Sequence, residues 1–173
     1  MSEGPGPGHD SRSEEELPAP QAHDLTDAAP QTAHVDTYAL YQRGLDLLSR
    51  GSAAAAAQLL ERAAAAEPES RSVLEALGRA QFDARRYDEA ASSFRRIVEV
   101  IPTDDYAQFG LGLALARTGD PGAAAEHLAL AAAMRPDLRH YTDALRGVRA
   151  TLRARNQARI DSQKDAKREQ PGD

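Results

Sequence analysis

Five histidines, His9, His23, His34, His127 and His140, are the side chains in this sequence best suited to proton transfer or metal binding near neutral pH. No two stand at the spacing that would set a ligand pair on one helix face, and His127 is alone in a helical stretch, so no metal centre is expected. Cysteine is absent, which excludes disulfides, thiolate nucleophiles and cysteine-based zinc sites. The run GPGPG at 4–8 is not followed by the strand, helix and lysine of a phosphate-binding loop, and no serine nucleophile elbow occurs. The adjacent carboxylates Asp88-Glu89 and Asp104-Asp105 fall at expected helix starts, where negative charge favours the positive end of the helix dipole. Neither catalysis nor a cofactor is expected, and function falls to the surface.

The elements that shape that surface begin with Arg71 to Asp104, which reads as two amphipathic helices joined by a turn. Val73, Leu74, Leu77 and Ala80 make one apolar stripe at three- and four-residue steps. Gly78 sits inside that helix, where it costs roughly 1 kcal/mol against Ala, so a close helix crossing is expected there. The second helix supplies a matching small residue, Ala90, flanked by Tyr87, Phe94, Ile97 and Val98. Pro102 ends it.

This unit occurs three times at a step of 34 residues: Gly44, Gly78 and Gly112; Ala56, Ala90 and Ala124; Leu60, Phe94 and Leu128; Pro68, Pro102 and Pro136. Chance alignment of the glycine and proline columns is roughly one in 10⁵ at ordinary frequencies. A helix-turn-helix unit of this length resembles the tetratricopeptide repeat family, over Thr37 to Leu138. The resemblance implies an all-α, right-handed α-solenoid of three units, 37–70, 71–104 and 105–138, in which glycine nests against alanine. In the first unit Arg43 and Asp46 stand where the others have Leu or Ala, as suits a terminal repeat with a solvated outer side.

Local signals place the helix ends. Asp36 or Thr37 can cap the first helix, Ser52 the second, Ser70 the third and Asp104 the fifth. Gly119-Asp120-Pro121 is the clearest start signal. From Asp137 the pattern changes: Tyr141, Leu145, Val148 and Leu152 form one stripe, and Arg146 occupies the glycine place. A capping helix over 139–160 is expected, then a disordered tail over 161–173. Residues 1–35 are rich in Gly, Pro, Ser and acidic residues and read as a disordered acidic arm.

Charge is segregated. Residues 1–36 carry one basic and eight acidic residues (−7), 37–138 carry −3, and 139–173 carry nine basic and five acidic residues (+4). The N-terminus has no apolar core of a signal peptide, and no run approaches a membrane span, so a cytoplasmic protein without membrane contact is expected. Arginine over lysine and abundant alanine suggest a high-GC bacterial genome.

If the resemblance holds, the first helix of each unit lines a concave side. It carries Tyr38, Tyr41, Gln42, Leu45 and Leu48; then Glu75, Ala76, Arg79, Phe82 and Asp83; then Tyr106, Phe109, Gly110, Leu113 and Arg117. An apolar groove rimmed by charge suits a partner helix or extended peptide with apolar side chains. The same aromatics also suit the filling of a tight superhelix. Family members that dock chaperone C-termini hold the carboxylate with Lys, Asn and Arg. Tyr41, Leu45, Ala76, Tyr106 and Gly110 stand at those places, so an apolar segment is expected instead. Two rival readings are self-assembly through the groove or open ends, and nucleic-acid or acidic-surface binding by Arg139–Arg168, of which the nucleic-acid reading is disfavoured.

Overall fold

The computed structural model describes the backbone from residue 28 to residue 168 and side chains from 36 to 167. These residues form seven helices: α1 (Ala28–Ser49), α2 (Ala53–Ala66), α3 (Arg71–Asp83), α4 (Tyr87–Val100), α5 (Asp105–Thr118), α6 (Pro121–Met134) and α7 (Arg139–Arg168). No strand occurs among the described residues. Each helix packs on its neighbours in sequence, and the odd-numbered helices also touch in series, α1 with α3, α3 with α5, α5 with α7. Short turns make successive helices antiparallel, so the odd-numbered helices run the same way.

The 34-residue columns are the core. Ala56, Ala90 and Ala124 are fully buried, as are Leu60, Phe94 and Leu128 to within 2%. Burying each of these large side chains contributes about 1.5–3 kcal/mol. The glycines meet the large column rather than the alanines alone. A Cβ at Gly44 would lie 2.6 Å from Leu60, one at Gly78 2.9 Å from Phe94, and one at Gly112 2.7 Å from Leu128. The expected glycine–alanine nesting is therefore a glycine–leucine or glycine–phenylalanine nesting, with Gly112 alone also close to the Ala124 carbonyl at 3.1 Å.

The turn inside each unit needs one left-handed residue. Gly51 (φ 75°) and Gly119 (φ 97°) meet that need at no steric cost, and Arg85 (φ 63°) fills the same place in the middle unit. Asp104 caps α5 by accepting from the Ala107 N–H, and Asp120 caps α6 by accepting from the Ala123 N–H at 3.0 Å. Pro121 opens α6.

Three boundary expectations differ. Ser52 and Ser70 stand at the helix starts without a side-chain capping bond. α1 begins at Ala28, eight residues before the expected start of order, so neither Asp36 nor Thr37 caps it; Thr37 is interior and buried. α7 continues to Arg168, so the tail expected from 161 is helical for eight further residues. The arm before 28 and the residues after 168 lie outside the described residues.

Candidate binding face of the first helices

Stacking puts α1, α3 and α5 side by side, and their shared face is where the expected groove residues fall. At the α1–α3 seam Tyr41, Leu45, Ser72, Ala76, Arg71, Glu75 and Arg79 line a cleft of about 180 Å³. Tyr41 also lines the adjoining cleft of about 230 Å³, with Thr37, Tyr38, Ser70 and Val73. Tyr38 is 62% exposed, while Tyr41 and Leu45 are half-buried against the core. Gln42 is exposed on the same helix. The apolar floor is thus α1, and α3 supplies the charged wall.

That wall is partly committed. The Arg71 guanidinium bonds the buried carboxylate of Asp104 and reaches Glu75 at 3.3 Å. The bond to Asp104 and its charge, with those of Glu75 and Asp105, push the guanidinium above its ordinary range against burial. Burial alone would raise Asp104; Arg71 and the backbone N–H groups of Ala107 and Tyr106 outweigh it and hold the carboxyl low. Burial is the main cause that raises Glu75, with Arg71 opposing it. Burial also pushes the Tyr106 phenol up, with Arg79 opposing and Glu75 and Asp83 adding.

The remaining expected residues fall into separate clusters. Phe82 and Tyr87 meet edge to face at 5.2 Å. Arg117 lies over both rings, 5.8 Å from Phe82 and 5.7 Å from Tyr87. Tyr106 meets Phe94 edge-on at 6.2 Å. Phe109 is stacked on Tyr141 of α7 at 4.3 Å and flanked by His140 at 5.3 Å. Leu113 is half-buried against the core. Gly110 is buried, with the Phe94 ring where its Cβ would stand, so it floors no groove. The structure therefore brings Tyr38, Tyr41, Leu45, Glu75 and Arg79 to two adjoining clefts at one seam, while Gln42 lines neither. Phe82 and Arg117 form a second cluster, and Phe109 lies under the capping helix.

Among the described residues no group of three or more His, Asp or Glu is placed to hold a metal ion, and no helix is long and apolar enough to cross a membrane. His127 faces Gln108, with Nδ1 2.6 Å from Oε1. The Gln108 amide donates to the Pro102 carbonyl, so the imidazole Nδ1 donates in this pair.

Sequence reasoning passed over one apolar feature, at Val100 and Ile101. Val100 is 79% exposed, and both line a cleft of about 520 Å³ with Leu74, Ile97 and Arg96. The signal was present: the places 34 residues away hold Ala66 and Met134, Glu67 and Arg135, so only the middle unit shows an apolar pair there. The cleft lies where α4 turns towards α5, and Arg71 lines both it and the α1–α3 cleft.

Comparison with known proteins identifies the architecture. The tetratricopeptide repeat model matches residues 41–105 and again 76–139, together more than half of the chain. The chain belongs to the tetratricopeptide repeat family. Among solved tetratricopeptide structures, the first such domain of Spaghetti (RPAP3), bound to the HSP90 peptide SRMEEVD, aligns with TM-score 0.63 at 17% identity, over 68% of this chain and 93% of that one. MamA from Desulfovibrio magneticus aligns with TM-score 0.65 at 21% identity, over 79% and 78%. The Yersinia enterocolitica type III secretion translocator chaperone SycD aligns with TM-score 0.60 at 15% identity, over 66% and 92%. At these identities the likeness is one of fold. No curated protein sequence matches significantly.

Proposed function

We propose that this tetratricopeptide protein is a non-catalytic interaction module that holds an apolar partner segment at the α1–α3 seam. One observation carries the reading: Tyr38, Tyr41 and Val73 line an open apolar cleft, and Tyr41 also lines the adjoining, more polar cleft with Leu45, Arg71, Glu75 and Arg79. Tyrosine anchors of this kind carry affinity because a rigid, amphipathic ring buries large area at little entropic cost.

The fold relative RPAP3 is bound to an HSP90 peptide with an acidic end. Here Arg71 is already engaged by Asp104 and Glu75. The places that would hold a terminal carboxylate carry Tyr41, Leu45, Ala76, Tyr106 and Gly110. An apolar internal segment therefore suits this face better than a chaperone tail.

The test is affinity capture with the full chain and with Tyr38→Ala/Tyr41→Ala, beside sedimentation of both. Loss of the captured protein from the double variant, at unchanged helicity, supports the seam as the site. Capture at equal yield by both chains refutes it. Dissociation of a dimer by the same substitutions would move the seam to self-assembly.

A further inference from the structure

α7 has 30 residues, against 13 or 14 in α2 to α6. At about 1.5 Å per residue it is roughly 45 Å long. Tyr141, Leu145, Val148 and Leu152 seat its first half on the stack, and Arg155 reaches back to the Gly119 carbonyl at 3.1 Å. Every described residue beyond Leu152 is exposed. At about 100° per residue, Arg139, Arg146, Arg149, Arg153, Lys164 and Lys167 fall within an arc of about 80°, beside the buried stripe and running the length of the helix. Arg146 pairs with Asp143 at 2.8 Å. Arg149, Arg153, Lys164 and Lys167 have no ion-pair partner among the described residues. Arg149–Arg153 is a like-charged pair one turn apart and Lys164–Lys167 another, and both work against the helix. A polar helical half with no packed face is marginal alone and calls for counter-charge.

We infer that the chain supplies the counter-charge itself: residues 1–27 dock along the α7 stripe of the same molecule. The charges match. Residues 1–27 carry seven acidic residues and one basic, or −6, and residues 139–168 carry nine basic and three acidic, or +6. The reach suffices. The path from α1 across α3 and α5 to α7 is three helix spacings of about 10 Å, and α7 adds about 45 Å, while 27 extended residues span about 90 Å. Because the odd-numbered helices run parallel, the segment arrives at the Arg139 end and can follow the stripe towards Lys167. Tethering favours it over a free polyanion, since a linked segment acts at an effective concentration near the millimolar range.

The absence of cysteine makes the test direct. In the full chain, Ser13→Cys and Ser162→Cys are labelled with a donor–acceptor dye pair. Energy transfer is expected to be high at about 0.01 M salt and to collapse at about 1 M, where the screening length shrinks from roughly 30 Å to 3 Å. Arg149→Glu/Arg153→Glu/Lys164→Glu should abolish it at low salt, and Glu14→Lys/Glu15→Lys/Glu16→Lys added to that chain should restore it. Transfer indifferent to salt and to both reversals overturns the docking. Equal transfer in a mixture of singly labelled chains places the segment on a neighbouring molecule and overturns the intramolecular form. A DNA duplex bound equally tightly by the unaltered chain and by the Glu14–Glu16 reversal alone shows an uncovered stripe, and overturns it too.

Discussion

Replacing Gly110 with alanine inserts one methyl group against a tightly packed ring. The new Cβ would stand 2.6–2.7 Å from three atoms of the Phe94 ring. The ring already fills the hollow that Gly78 leaves on α3, where a Cβ would lie 2.9 Å from it, so it has little room to move away. Phe94 is thus a wedge between α3 and α5, and it sets the spacing of the helices that form the binding face. Overpacking of this kind costs about 1–3 kcal/mol, which exceeds the roughly 1 kcal/mol that alanine gains over glycine in a helix. The neighbouring units show the permitted alternative: Leu60 and Leu128 stand at the phenylalanine place, and Ala76 and Ala144 at the Gly110 place. The sign of the effect should therefore depend on residue 94. In the natural chain Gly110→Ala should destabilise by up to about 2 kcal/mol, lowering the melting temperature by about 2–4 °C per kcal/mol for a helical array of this length. In a Phe94→Leu chain the same change should be neutral or stabilising, a coupling of about 2 kcal/mol. Urea titrations of the four chains, followed by circular dichroism, measure it. An equal change in both backgrounds refutes the wedge.

Further outcomes follow from the turns and the titrating groups. Arg85→Gly should stabilise by about 0.5–1 kcal/mol in urea, because a left-handed L-residue costs about 1–2 kcal/mol and glycine returns only part of that as unfolded-state entropy. Gly119→Ala should destabilise by a similar amount although its Cβ meets nothing, since its φ is 97°. The Asp104 carboxyl is held low in the folded state, so the unfolded chain binds its proton first as the pH falls. Its contribution is present above about pH 4 and is lost on acidification below it. Asp104→Asn should flatten that limb of melting temperature against pH. The buried Tyr141 phenol donates to Asp105 at 2.9 Å and is pushed up, first by burial and then by that bond and charge. Its contribution is full below about pH 10 and is lost as the pH rises above it. Tyr141→Phe should cost about 1.5–3 kcal/mol at neutral pH and remove that alkaline loss.

The solenoid is legible in the sequence because each repeat column has one physical task. Ala56, Leu60 and their counterparts are the interior of the second helices, and Pro68, Pro102 and Pro136 mark the turns. The ends of α1 and α7 were less legible, because the stop and start signals there, Asp27 and Pro30 at one end and Pro171 at the other, border stretches with no apolar stripe to mark them as helical. The face of the first helices could be listed from helical spacing, but spacing alone does not say what covers a side chain. Phe109 and Tyr141 belong to different units and meet only because α7 closes on α5. Phe82 and Arg117, 35 residues apart, are joined by the turn that brings Tyr87 between them. Gly110 shows the opposite lesson, a position one helical face away from where spacing put it, decided by the bulk of Phe94.

Arg146 holds the place that Gly44, Gly78 and Gly112 hold in the units before it, and it is solvent-exposed beside Asp143. A helix appended after α7 would find an arginine stem where the earlier helices offer a hollow. The array is therefore punctuated at this point: a duplicated unit can be spliced in ahead of Arg139 and inherit a ready socket, whereas growth at the far end has first to replace Arg146 with glycine.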